Sequence, residues 1–145
     1  MIIGGCLGTK VAPAIPATPP AILVDYHRTG GIAGFDDRLV IFDNGAAVIS
    51  SGLASREIKL NQTDIDRITS AFTAAQFSQL ERNYTARMGG ADLFHYTISY
   101  HSKTVNTEDS ATPPLLQPVI DELNDILRTS KSLAQPTNPF PTMPS

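Results

Sequence analysis

The chain has 145 residues, a formal net charge of −3 and one cysteine, with most of its 11 prolines crowded toward the two ends. A single cysteine excludes an internal disulfide, so packing and hydrogen bonds must hold the fold. The scattered lysines and arginines offer no basic surface to nucleic acid, and no apolar run nears the roughly 20 residues a spanning helix needs.

At the amino end, Ile3-Gly4-Gly5-Cys6 resembles the lipobox of prokaryotic lipoproteins. There, small residues expose the backbone to a membrane-embedded peptidase and free the cysteine for acylation. The resemblance implies a lipid anchor on Cys6, held by about 0.8 kcal/mol per buried methylene, and an extracytoplasmic address at the cell membrane. Only five residues precede Cys6, whereas a secretory signal carries a basic start and an apolar stretch of about 7–15 residues. The anchor reading therefore expects a longer leader upstream. Without one, Cys6 is a free thiol and the protein is cytoplasmic. Residues 7–20 place Pro13, Pro16, Pro19 and Pro20 among Ala, Thr and Gly, the composition of an extended spacer. Residues 129–145 repeat that composition and read as a disordered tail, leaving one domain over 21–128.

Inside the domain, Ile22, Val24 and Tyr26 alternate with Leu23, Asp25 and His27, the period of a strand with one dry face. A glycine-rich loop follows over Thr29–Asp37. Arg38–Asp43 and Ala46–Ser50 flank Asn44-Gly45, a strong hairpin signal because a type I′ turn needs positive φ at both central residues. A two-residue loop sets Ile41 opposite Val48 and Val40 opposite Ile49. Arg56–Leu60 alternates as a further strand. Asn61 then offers an N-cap with Asp64 three residues on and a Leu60/Ile65 staple. Ile65, Ile68, Phe72 and Ala75 continue as one helical stripe. Phe94, Tyr96, Ile98 and Tyr100 alternate with His95, Thr97 and Ser99, and Lys103–Thr107 pairs back on that strand. Leu116, Val119, Ile120, Leu123 and Leu127 make a second amphipathic helix, with Pro113, Pro114 and Pro118 tolerated only around its first turn. These elements specify the α+β class: an antiparallel sheet of about five or six strands with two helices packed on one face.

The candidate contact segment is Gly30, Gly31, Ile32, Ala33, Gly34 and Phe35. Three glycines allow positive φ while Ile32 and Phe35 put apolar side chains in a loop that is ordinarily polar. Two readings stand: an exposed contact surface, or a tight crossing with both side chains turned inward. The Gly-Gly-x-x-Gly order departs from nucleotide-binding fingerprints. His27, His95 and His101 lack metal-ligand spacing, Asp36-Asp37 and Glu108-Asp109 read as solvated acids, and no serine stands in a nucleophile elbow. No cofactor, metal or catalytic residue is expected. Asn61-Gln-Thr63 and Asn83-Tyr-Thr85 match glycan acceptor tripeptides.

Tyr26-His-Arg-Thr-Gly-Gly-Ile-Ala-Gly-Phe35, the helix after it, Ala91-Asp-Leu-Phe-His-Tyr-Thr-Ile98 and the proline-led last helix together resemble emfourin, a small protein inhibitor of thermolysin-like metalloproteases. The resemblance spans about residues 22–127. It implies a non-enzymatic binding module that meets a protease through the Gly30–Phe35 loop. The alternative is a cell-envelope lipoprotein with a structural or partner-binding role and no protease target.

Overall fold

The computed structural model describes residues 18–85 and 92–134. Its elements are β1 (Ile22–Gly30), β2 (Phe35–Phe42), β3 (Ala46–Ser51), β4 (Ala54–Lys59), α1 (Gln62–Ala74), β5 (Asn83–Tyr84), β6 (Phe94–Tyr100), β7 (Lys103–Glu108) and α2 (Gln117–Ala134). One sheet carries all seven strands in the order β4-β3-β2-β1-β6-β7-β5. Every neighbouring pair is antiparallel except β5 with β7. The class is α+β, with one strand beyond the expected count. Two-residue β5 is too short to carry a period.

Alternation decides which face is dry. Val24, Tyr26, Leu39, Ile41, Ala47, Ile49, Tyr96, Ile98 and Val105 are buried in one cluster with Ile68 and Phe72 of α1, with Leu116 just ahead of α2, and with Val119, Ile120, Leu123, Ile126 and Leu127 of α2. Full burial of each large aliphatic side chain is worth about 1.5–3 kcal/mol, and this layer is the main stabiliser. The opposite face carries polar cross-strand pairs, among them Arg38–Asp25, Thr97–Asn106 and Ser99–Thr104, each of the kind that adds only tenths of a kcal/mol.

Helix α1 starts where its capping box predicts. The Asn61 side chain accepts from the Asp64 N–H at 2.8 Å, and the Asp64 carboxylate accepts from the Asn61 N–H at 3.2 Å. In α2, Pro118 falls in the first turn, where an N–H has no helical partner to lose. The helix runs on through Ala134, so the domain passes the boundary expected at 128, and Ser130 is buried.

The Asn44-Gly45 hairpin forms, but in another register. Ile41 pairs with Ala47, Val40 with Val48 and Leu39 with Ile49. Of the two turn residues only Gly45 has positive φ, at 91°, and its N–H donates to Phe42 O at 3.0 Å. This is the three-residue loop with a glycine bulge, not a type I′ turn. The extra loop residue moves every pair by one, so Leu39, Ile41, Ala47 and Ile49 all meet the helices, and the core selects that register.

Candidate functional site

The glycine-rich segment is a hairpin tip. Strand pairing continues to Gly30↔Phe35, which narrows the loop expected over Thr29–Asp37 to Gly31–Gly34. At Gly30 the backbone has φ +103°, and a Cβ would stand 2.3 Å from Leu93 O. No other residue fits there without moving β6. The Gly31 N–H donates to Leu93 O at 3.2 Å and the Gly34 N–H donates to Gly31 O at 3.1 Å, so the turn is closed on itself and tied at its first residue to the residue just before β6.

That geometry separates the two apolar residues. Ile32 is 88 % exposed, with Ala33 and Gly34 exposed beside it. Phe35 is 39 % exposed and leans on Phe94, ring centroids 5.7 Å apart. The loop is thus exposed at Ile32 and half turned inward at Phe35, a mixture of the two readings open from sequence.

A second apolar tip stands at the same end of the sheet. β3 and β4 join through Gly52-Leu53, with Ser51 paired to Ala54 and positive φ, 59°, at the glycine alone, the pattern of a type II′ turn. Leu53 is fully exposed. The Gly52 N–H donates to Asp36 O at 3.0 Å, which ties this turn to β2. A Cβ built on Gly34 or Gly52 meets nothing within 4 Å, so both turns stand in open space. In the order β4-β3-β2-β1 the hairpin axes are two strand spacings apart, about 9.5 Å. Sequence reasoning missed Leu53, although Gly-Leu between two alternating runs is a legible type II′ signal.

Under the tips lies charge. Asp37, expected as a solvated turn acid, is completely buried. It sits on the core face of β2, ion-paired with Arg28 Nη2 and accepting from Ser51 Oγ at 2.5 Å. Asp36, one residue away, points to the other face and meets His27 at 2.7 Å. The Arg28 guanidinium carbon lies 5.4 Å from the Phe35 ring centroid and 5.3 Å from that of Phe94, a cation held between two π faces. Asn124 of α2 closes the group: its Oδ1 accepts from Tyr26 Oη at 2.8 Å and from Arg28 Nη1 at 3.1 Å. Tyr96 Oη donates to Asp109 Oδ1 at 2.5 Å, and the Phe94 N–H donates to Asp109 Oδ2 at 3.2 Å. Burial pushes the Tyr26 phenol far above its ordinary range, with the Tyr96 phenol beside it adding to the rise. Tyr96 is pushed up too, by burial first and by its bond to Asp109 second. Both stay neutral hydrogen-bond donors at any physiological pH.

Elsewhere the titratable groups are dispersed. His95 meets Glu108 at 3.3 Å on the open face, and His101 stacks on Tyr100, centroids 4.0 Å apart. Among the described residues no three His, Cys, Asp or Glu side chains could hold a metal together, and no helix is long and apolar enough to cross a membrane. A cavity of about 370 Å³ at the opposite end of the sheet is lined by Phe72, Gln76, Phe77, Tyr100, His101 and Lys103, and the Lys103 ammonium there donates to the carbonyls of Ser78, at 2.9 Å, and Leu80. Of the glycan tripeptides, Asn61 is engaged as the α1 cap and the Asn83 Oδ1 accepts from Asn106 at 3.1 Å. Cys6 and the proline-rich stretches over 7–17 and 135–145 lie outside the described residues.

No protein-family model matches the chain, and no curated protein matches it.

Proposed function

We propose that this protein is an extracytoplasmic binding module, tethered through Cys6, that inhibits a thermolysin-like metalloprotease with the Gly30–Phe35 hairpin tip. The observation that carries the reading is Ile32: a large aliphatic side chain almost wholly in water, in a turn closed by the Gly34–Gly31 hydrogen bond and tied to Leu93 through the Gly31 amide. A scattered surface leucine needs no explanation. An isoleucine on a hydrogen-bonded convex turn is different, because part of the backbone ordering is already met in the free protein and burial in a partner pocket gains most of the side chain's transfer free energy. Anchors of this kind dominate binding energy. The emfourin-like segments around the same loop favour a protease as the partner.

The test is inhibition by the purified chain. At stoichiometric ratio it is expected to slow peptide cleavage by a thermolysin-like protease, and Ile32→Asp is expected to weaken that inhibition at least about tenfold. Absence of inhibition across several such proteases removes the inhibitor reading. The chief protein recovered by pull-down from a solubilised envelope then separates a structural lipoprotein from a protease ligand.

A further inference from the structure

Asp37 is placed where two exposed tips share one foundation. Its strand, β2, belongs to the first hairpin and is hydrogen-bonded to the second. Asp37 pairs directly across to Arg28 on β1 and to Ser51 on β3, and its two carboxylate oxygens take one contact from each side, Oδ2 from Arg28 and Oδ1 from Ser51. Arg28 carries the link on to Phe35 and Phe94 at the foot of the Ile32 turn. Ser51 immediately precedes the Gly52-Leu53 turn, which is also held by the backbone bond from Gly52 to Asp36. One buried carboxylate thus lies between both prongs.

Stability alone is a poor reason for such a group. Burying an ion pair costs desolvation that its attraction roughly repays, and an apolar replacement of similar volume is often neutral or better. Arg28 adds to that cost, since its Nε is buried with no hydrogen-bond partner among the described residues. What a buried, directional pair supplies and an apolar contact does not is a fixed geometry.

We infer that Asp37 is a positioning residue that locks the Ile32 and Leu53 tips into a single two-pronged surface for a concave protein partner with two apolar pockets, offset sideways by about two strand spacings, the Ile32 prong projecting further along the strands. The inference rests on the reading of the Ile32 tip as a contact surface and adds Leu53 to it. A protein cleft suits these prongs better than a lipid bilayer: Gly31–Gly34 and Gly52-Leu53 carry no lysine or arginine, the Arg28 beneath them is ion-paired with Asp37, and two aliphatic tips with no basic residue of their own gain no attraction from an anionic leaflet.

Three hydrogen-bonded amides report on the lock without any partner: Gly31 and Gly34 on the first tip, Gly52 on the second. In the folded full chain, Asp37→Asn is expected to speed hydrogen exchange at all three by about tenfold or more while α2 amides keep their rates. Ser51→Ala is expected to speed Gly52 alone, and Arg28→Lys to speed Gly31 and Gly34 alone. Phe72→Ala, a core change at the opposite end of the sheet, serves as the purely structural control and is expected to lower the melting temperature without this local pattern. Unchanged exchange at the tips in folded Asp37→Asn overturns the inference, as does a rise spread evenly over the domain. Should Asp37→Asn not fold, the Ser51→Ala and Arg28→Lys pair decides, and wild-type rates in both overturn it. With the protease, Leu53→Asp is expected to weaken inhibition about tenfold, and no change there removes Leu53 from the surface. Binding to anionic phosphatidylserine vesicles that depends on Ile32 and Leu53 overturns the choice of a protein partner. A wild-type chain that inhibits nothing sinks the protease reading, while the exchange pattern still judges the lock.

Discussion

The two ends of the sheet handle polarity in opposite ways. At the end where β1 turns into β2, charge is inside and apolar surface is outside: Asp37 and Arg28 sit beneath Ile32 and Leu53. At the other end Phe72 stacks on Tyr100 with centroids 4.0 Å apart, Phe77 packs edge-on at 5.0 Å, and the charged Lys103 works at the rim. The second arrangement is how a core ordinarily closes. The first gives up some apolar burial, and on the proposed reading what it gains is two prongs held in place for another molecule.

Four expected outcomes probe that contrast beside the exchange and inhibition experiments. The largest comes from the ordinary end: Phe72→Ala removes a wholly buried ring and is expected to cost about 3–5 kcal/mol in chemical denaturation, with tip exchange unchanged relative to the rest of the domain. Selective loosening of Gly31 and Gly34 by that variant would erase the distinction between the ends. Gly30→Ala comes next. It forces a Cβ against Leu93 O at a left-handed φ, and about 1–3 kcal/mol of strain should appear as lost stability together with loosening between β1 and β6, read from exchange along Tyr26 to Gly30.

An alkaline titration tests the buried phenols. Tyr26 and Tyr96 have folded pKa values raised above the ordinary 10.0, so the folded state keeps protons that the unfolded chain releases. Their contribution is fully present below about pH 10 and drains away as the pH climbs above it. Denaturation midpoints measured between about pH 9 and pH 11 should fall with pH, and Tyr26→Phe should flatten that fall. The smallest stability effect belongs to the tip itself: Ile32→Asp should change the unfolding free energy by no more than about 0.5 kcal/mol, although it is the variant expected to harm inhibition. A large stability loss would mean that Ile32 is packed in solution and is no prong.

Most secondary structure was legible because it follows from short-range chemistry. The period of two over Ile22–Tyr26 and Phe94–Tyr100 marked strands, and the Asn61/Asp64 box set the start of α1 within a residue. Failures cluster where partners are distant in sequence. β5 exists only because β7 lies beside it. The register of the Asn44-Gly45 hairpin depends on which side chains the helices accept, and local turn preference alone pointed to the wrong loop length. Asp37 was read as a solvated acid because an Asp-Asp pair beside a glycine loop looks like a surface turn. Its counter-charge, Arg28, and its hydroxyl donor, Ser51, are 9 and 14 residues away.

The candidate site divides along the same line. The glycines, Ile32 and Phe35 were visible as a segment, since their types are unusual for a loop. Which of the two apolar side chains faces water, and that Leu53 stands beside Ile32, depends on strand order. The sequence by itself determined the α+β class, the two helices and the glycine-dependent turn, because periodicity, capping and φ preference act within a few residues. Only the tertiary structure decided the hairpin register, the pairing of two tips at one end of the sheet and the burial of charge beneath them, because each is set by cross-strand and helix-on-sheet contacts that no local window contains.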